Sequence, residues 1–233
     1  MRVLVTGGCG FIGSNFLHLI MGKYEDAEIV NLDKLTYCGN EENLKDIESD
    51  PRYTFVKGDI CDKELVEKTM SGVDIVVNFA AETHVDRSIK YSDDFLRTNV
   101  FGVKVMLDAA RKAEVKKFIQ IGTDEVYGSV SDGLSVETDP LKPRSPYSST
   151  KASGDLLALS YYSTYELPVT VVRSSNNFGP YQYPEKVIPL FITNLVDDKK
   201  VPLYGEGANV RDWLYVKDNC SAIDVVMNKG KAG

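Results

Sequence analysis

Gly7-Gly8-Cys9-Gly10-Phe11-Ile12-Gly13 lies between a short apolar run, Arg2–Thr6, and a stretch, 11–21, whose apolar residues recur on a helical period. Gly7, Gly10 and Gly13 are spaced G-x-x-G-x-x-G. At a strand-to-helix junction, such glycines let the backbone turn tightly and approach a pyrophosphate whose charge rests on the helix N-terminus. Glycine-rich turns are common; the position at the first strand-to-helix junction is what makes this one constraining. The rest of the chain keeps the alternation. Further strands are expected at 29–32, 53–56, 74–79, Lys117–Ile121 and Val169–Val172. Within 74–79 the run Ile75-Val76-Val77 is apolar without alternation, as in a strand buried on both faces. One long helix is expected over 88–113, and another over Pro146–Tyr165 with Ser145 at its N-cap and Pro146 at its first position. The expected fold class is therefore α/β: a doubly wound parallel (Rossmann-like) sheet with right-handed crossovers.

Two segments break the rhythm. Residues 129–144, rich in Ser, Gly, Pro and acid, read as a surface loop, and 179–189, with three prolines and two tyrosines, as an irregular one. After them a helix near Val187–Val196, a short strand at 201–204 and a last helix near 218–227 are expected. The division expected is a dinucleotide-binding domain over 1–175 and part of a small, interleaved C-terminal substrate-binding lobe over 176–233, which looks incomplete. With 233 residues, 43% hydrophobic and 26% charged, the chain can bury a sizeable core. Its formal net charge of -7 and lack of a basic stripe argue against nucleic acid as a partner. An anionic ligand must then be held by local Arg, Lys and helix N-termini. No apolar run approaches the ~20 residues that span a bilayer, so no membrane partner is expected. A strand starting at Arg2 leaves no room for a leader. Cys9, Cys38, Cys61 and Cys220 are scattered, without a C-x-x-C pair, as in a cytoplasmic protein with reduced thiols. His18 and His84 lie too far from them to suggest a metal site.

Asp33 ends the second expected strand. A carboxylate there accepts hydrogen bonds from ribose hydroxyls and repels a 2′-phosphate, which favours NAD over NADP; Lys34, next to it, weakens that preference, and Asp33 could also be a simple turn residue. Asp59 and Ile60 end the third strand, where an adenine would lie, although Gly58-Asp59 is also a good turn. Thirteen tyrosines and nineteen lysines give about one Tyr-x-x-x-Lys pair by chance. The chain has two, Tyr53 with Lys57 and Tyr147 with Lys151. In a helix such positions are stacked neighbours, while in a strand they are ~13 Å apart. Only the Tyr147–Lys151 pair can thus set an ammonium beside a phenol, which with a cationic nicotinamide lowers its pKa and makes it a base toward a sugar hydroxyl.

Thr123, Asp124 and Glu125 close the fifth strand, at the sheet edge where ligands bind in open α/β folds. Hydride transfer needs only the phenolic base. Two further carboxyls suggest a coupled proton abstraction with loss of a leaving group, provided the strand has already turned there; otherwise they form a solvated acidic turn. His84, after the fourth strand, is either structural or a ligand to a substrate hydroxyl or phosphate. Arg211 and Lys186 are candidates for a diphosphate, or else surface ion pairs.

Together these motifs resemble the extended short-chain dehydrogenase/reductase family, and within it the dTDP-glucose 4,6-dehydratases, over nearly the whole chain. The most specific stretches are Thr6 to Gly13, Asp33 to Tyr37, His84 to Ser88, Thr123-Asp124-Glu125-Val126-Tyr127-Gly128, Ser175-Asn176-Asn177 and Arg211-Asp212-Trp213. The triplet at 123–125 discriminates best, because related epimerases lack the acid pair, GDP-mannose dehydratases look like Ser-Glu or Thr-Glu, and CDP-glucose dehydratases like Thr-Asp-Lys. The resemblance implies a redox-neutral loss of water from dTDP-glucose, with tightly bound NAD. Tyr147 would act as base at the C4 hydroxyl with Lys151 beside it, Thr123 would polarise the C4 oxygen, Glu125 would take the C5 proton, and protonated Asp124 would release the C6 hydroxyl. Asp124 and Glu125 should then have their pKa values pushed apart. The resemblance also assigns Phe11, Ile12, Leu35 and Thr36 to the cofactor, with Ala80, Ala81, Thr98 and Asn177. It assigns Asn176, Pro202 and Tyr204 to the substrate. It implies a homodimer packed through the helices near 88–113 and 146–165, and a family pattern that continues past Gly233. Thr83 stands where the family often has Ser, Phe178 where it often has Tyr, and Asn219 where it usually has His. A sugar-nucleotide decarboxylase or epimerase, and a catalytically silent NAD-binding protein, are the competing readings. Asp124 argues against the first and the presence of Tyr147, Lys151 and Glu125 against the second.

Overall fold

In the computed structural model, which describes residues 1–130 and 132–233, the glycine turn does join a strand to a helix. β1 (Arg2–Thr6) leads into α1 (Phe11–Lys23), and β2 (Glu28–Asp33) pairs parallel to β1 with Val3 opposite Ile29. β3 (Tyr53–Lys57) adds outside β2. The chain then crosses back through α2 (Lys63–Thr69) to β4 (Ile75–Asn78), on the other side of β1. β5 (Lys117–Ile121) and β6 (Val169–Val172) complete a six-stranded parallel sheet in the order β3-β2-β1-β4-β5-β6. The reversal of direction at β1 and β4 opens a crevice at the carboxyl ends of the strands.

Both faces of the sheet are covered, which is why β1, β4 and β5 are buried beyond their first residue. On one face lie α2, α5 (Val103–Lys112) and α6 (Pro146–Tyr165), contributing Val66, Met106, Leu107, Ala158 and Tyr161 to one core. On the other, Phe16, Leu17 and Ile20 of α1 pack with Val216, Cys220, Ile223 and Met227 of the final helix, α8 (Val216–Lys229). α8 therefore belongs to this core although it lies beyond the expected boundary at 175. It is held there by polar clamps. Asp224 accepts from Lys23 Nζ (2.5 Å) and from the Tyr24 hydroxyl (2.6 Å). Lys117 Nζ donates to the carbonyls of Val226, Met227 and Gly230 at the end of α8, at 2.9–3.1 Å. Lysine suits that position because helix ends leave unpaired carbonyls. Asn219 is buried on α8 with its amide nitrogen unpartnered among the described residues, and we have no physical account of it.

Several expectations change. The single helix over 88–113 is instead α3 (Val85–Lys90), α4 (Ser92–Leu96), a π-helical turn (Arg97–Gly102) and α5, with a break at Tyr91. Residues 201–204 form no strand; the pairing in this region is between β7 (Asn176–Phe178) and β8 (Trp213–Tyr215), on either side of α7 (Val187–Val196). The irregular loop after Gly179 ends at Lys186, where α7 begins. The 129–144 segment carries no helix or strand over its described residues, and Ser131 lies outside them.

Candidate active site

A cleft of about 370 Å³ lies along the carboxyl edge of the sheet. Its nucleotide end is built on the glycine turn. Gly7 has φ +70°, and a Cβ there would stand 2.8 Å from the Ala80 amide nitrogen, so only glycine fits. A Cβ on Gly13 would collide with the Gly7 carbonyl. Gly10 caps α1 without a side-chain acceptor, which leaves the first amides of α1 open to an anion. Asp33 uses both carboxylate oxygens on the backbone, accepting from the amides of Cys9 (2.9 Å) and Leu35 (2.8 Å). Burial pushes its pKa up. Lys34 Nζ is paired with Asp59 at 3.0 Å, so the cation that could have favoured a 2′-phosphate is largely neutralised. Thr36, Asp59, Ile60, Ala80, Ala81, Thr98 and Asn177 line the cleft with Gly7, Gly10, Phe11, Ile12, Gly13 and Asp33. Leu35 does not line it; its side chain packs on the α1 side of the core and only its amide serves the site.

The reaction end is assembled from two elements. Thr123 is still extended (φ -157°, ψ 151°), but Asp124–Tyr127 is one 3₁₀ turn, ended by Gly128 at φ +84°. The strand has thus turned before the acid pair, and Asp124 and Glu125 line the same cleft. Thr123 Oγ1 caps that turn, accepting from the Glu125 amide (3.3 Å) and donating to Asp124 Oδ1 (3.2 Å). The second element is α6. Ser145 and Ser148 form a reciprocal capping box, with Ser148 N to Ser145 Oγ at 3.0 Å and Ser145 N to Ser148 Oγ at 3.0 Å. That start delivers Tyr147 and, one turn on, Lys151 to the cleft.

Burial is the main influence on the titration of both acids, raising each. Neighbours act on each in both directions. Thr123 and nearby amides hold Asp124 down while Asp212 pushes it up; the Asp124 charge adds to Glu125, while Lys186 and Arg211 oppose it. Lys151 donates to the Ile121 carbonyl at 2.5 Å, and burial lowers its pKa. Lys151 alone does not lower the Tyr147 pKa: burial, then the charges of Glu125 and Asp124, push it up. A phenol beside a bound carboxylate pair needs an added positive charge in the cleft before it serves as a base.

On the substrate side, His84 heads α3 with φ +85°, its Nε2 3.9 Å from Glu185 and its buried Nδ1 without a partner among the described residues. Asn176 and Lys186 also line the cleft. Pro202, Tyr204 and Arg211 do not: Tyr204 is 74% exposed, and the Arg211 guanidinium donates to the neighbouring Val210 carbonyl. Sequence reasoning missed Glu82, Gln182, Tyr183, Glu185 and Trp213, all of which line the cleft. Glu185 accepts from the Tyr37 hydroxyl at 2.9 Å, and Arg87 stacks over the Tyr37 ring at 3.9 Å. Glu185 adjoins Lys186 in the proline-rich loop, a cue within reach; the contact with Tyr37, 148 residues away, had none.

The chain matches the family described as GDP-mannose 4,6 dehydratase over residues 4–233. The low-salt glycan biosynthesis protein Agl12 of Haloferax volcanii is 52% identical over all of this chain and 75% of its own length. A dTDP-glucose 4,6-dehydratase of Streptomyces antibioticus is 53% identical over all of this chain and 70% of its own. The crystal structure of DesIV, a dTDP-glucose 4,6-dehydratase from Streptomyces venezuelae with NAD bound, has a TM-score of 0.97 and 51% identity, covering this whole chain and 74% of that one.

Proposed function

The chain belongs to the GDP-mannose 4,6 dehydratase family, and on that premise we propose that it is a dTDP-glucose 4,6-dehydratase, converting dTDP-glucose to dTDP-4-keto-6-deoxyglucose and water with bound NAD. The observation that carries this reading is the acid pair. Asp124 and Glu125 share one cleft with Tyr147 and Lys151, which a simple alcohol dehydrogenation does not require. Relatives about half identical, among them the Streptomyces antibioticus enzyme, carry the dTDP-glucose name. Agl12 supplies a second kind of relative, concerned with glycan biosynthesis.

NAD⁺, when bound, supplies the positive charge that the raised phenol needs and a reversible acceptor for hydride, taken from C4 and returned to C6. The open amides of α1 would hold its pyrophosphate and Asp33 its ribose. Tyr147 takes the proton of the C4 hydroxyl, and Thr123, turning its hydroxyl proton from Asp124, donates to the resulting C4 carbonyl oxygen. The carbonyl acidifies C5, and Glu125 takes that proton. Asp124, whose pKa burial raises, acts as the acid and gives its proton to the C6 hydroxyl, which leaves as water. A proton returned to C5 completes the exchange, so the net change is loss of one water. Asn176 and Lys186 contact the sugar nucleotide and His84 a hydroxyl or phosphate; Arg211, Pro202 and Tyr204 reach it only if their loop folds inward.

The protein acts as a homodimer packed through α3 to α6, where Leu96, Phe101, Leu156 and Tyr162 are exposed. Among the described residues no helix is long and apolar enough to cross a membrane. Four unpaired thiols support a reducing, cytoplasmic setting. Mass spectrometry of dTDP-glucose after incubation with the protein and NAD⁺, with UDP-glucose as control, tests the activity. Loss of one water from the dTDP sugar without net reduced cofactor is expected; an unchanged sugar, or reduced cofactor in proportion to sugar consumed, contradicts it.

A further inference from the structure

Behind the cleft floor lies a buried ion pair that none of these steps uses. Asp155 stands on α6 one turn after Lys151 and is fully buried. Its Oδ2 accepts from Arg173 Nε at 2.8 Å, while Oδ1 has no partner among the described residues. Arg173 Nη1 donates onward to the Tyr127 hydroxyl at 2.8 Å, and its guanidinium lies 5.2 Å from that ring's centroid. Tyr127 is the last residue of the turn that carries Asp124 and Glu125. The backbone repeats the connection: the carbonyls flanking Arg173, those of Val172 and Ser174, accept from the amides of Gly122 (2.6 Å) and Asp124 (3.1 Å). Gly122 makes the approach feasible, since a Cβ there would come within 2.9 Å of both Asp155 oxygens.

A buried ion pair is often no more stabilising than well-packed apolar groups of the same volume, and an orphan carboxylate oxygen makes this one a poor stabiliser. Its geometry has another use. We infer that Arg173 is a positioning residue, tying the turn that bears Asp124 and Glu125 to the helix that bears Tyr147 and Lys151, so that both proton-transfer sets meet one sugar ring. The inference rests on the function proposed above. The Asp155 charge also opposes the loss of the Lys151 proton that burial favours. Small misplacements of catalytic groups are expensive in rate, and the two sets come from elements about twenty residues apart with an irregular loop between them.

Tyr127→Phe and Arg173→Met test the link. Tyr127→Phe removes one hydrogen bond and keeps the ring and the ion pair, so it covers the case in which Arg173→Met fails to fold. The first readout is hydrogen exchange of the cofactor-free chain over 122–128. Exchange about tenfold faster than wild type is expected, with β1 and β4 unaltered; unaltered exchange at 122–128 overturns the inference. The second is turnover of dTDP-glucose with NAD⁺. A kcat about tenfold lower is expected, with little change in KM, and reduced cofactor should build up because elimination slows while hydride transfer continues. A lower kcat without that build-up, or an unaltered kcat, overturns the inference. A wild-type chain inert toward dTDP-glucose counts against the proposed function instead, and the exchange measurement then decides the inference alone.

Discussion

Glu125 sits where its charge is least welcome. Burial, reinforced by Asp124, raises its pKa above the ordinary carboxylate value. The folded protein then binds this proton more tightly than the unfolded chain, so stability falls as pH rises from the ordinary carboxylate range through the folded-state pKa. Glu125→Gln should therefore melt higher than wild type at neutral pH, by about 2–4 °C for each kcal/mol recovered in a chain this size. The gap should close as pH is lowered into the carboxylate range, while dehydration is lost. Thermal melts across pH check this; a variant less stable than wild type at neutral pH contradicts it. At this scale much of the site was legible. Gly7, Asp33, Asp124, Glu125, Tyr147 and Lys151 were each marked by a residue type at a demanding position, and all line the cleft. Leu35, Pro202, Tyr204 and Arg211 were not placed there, because a motif does not say which way a loop side chain turns. Lys151 alone also does not lower the Tyr147 pKa: burial, then the Glu125 and Asp124 charges, raise it, and the Lys151 ammonium faces the Ile121 carbonyl.

One element with its own start signals, α6, was read well. α6 begins as expected because Ser145, Pro146 and Ser148 define its first turn, and it ends as expected at Tyr165, before Glu166 in the left-handed conformation at φ +58°. Ser145→Ala removes the acceptor for the Ser148 amide and should destabilise the protein by about 1 kcal/mol. The melt should shift down by about 2–4 °C, a change that differential scanning calorimetry resolves. An unaltered melting temperature would mean that the cap contributes nothing. The break at Tyr91 had a signal too, since Ser92, Asp93 and Asp94 open α4 with two acids in its first turn. α2, which was not read from the sequence, also had a start signal: Asp62, whose side chain accepts from the Leu65 amide at 3.1 Å. β7 and β8 had none. Each is three residues long, too short to show a period, and each is a strand only because the other lies beside it.

For the whole molecule, the cleft spans the turn after β1, the ends of β2 to β5, the start of α6 and the loop before α7. A ligand that touches all of these binds the folded chain alone. NAD⁺ at a hundred times its Kd should thus add about 2.7 kcal/mol of stability, read as a concentration-dependent rise in melting temperature; NADP⁺ should do so only at higher concentration, because Lys34 is held by Asp59. Sequence by itself determined the parallel strands, the glycine cradle and the chemical kit of acid, base and phenol. These are set by local sterics, by hydrophobic periodicity and by residue type, all of which operate over a few neighbouring positions. Tertiary structure alone decided that α8 returns to α1, that Glu185 reaches Tyr37, and that Arg173 bridges Asp155 to Tyr127. Those contacts join residues whose separation along the chain carries no periodic signal, and they exist only once the sheet has brought its ends together.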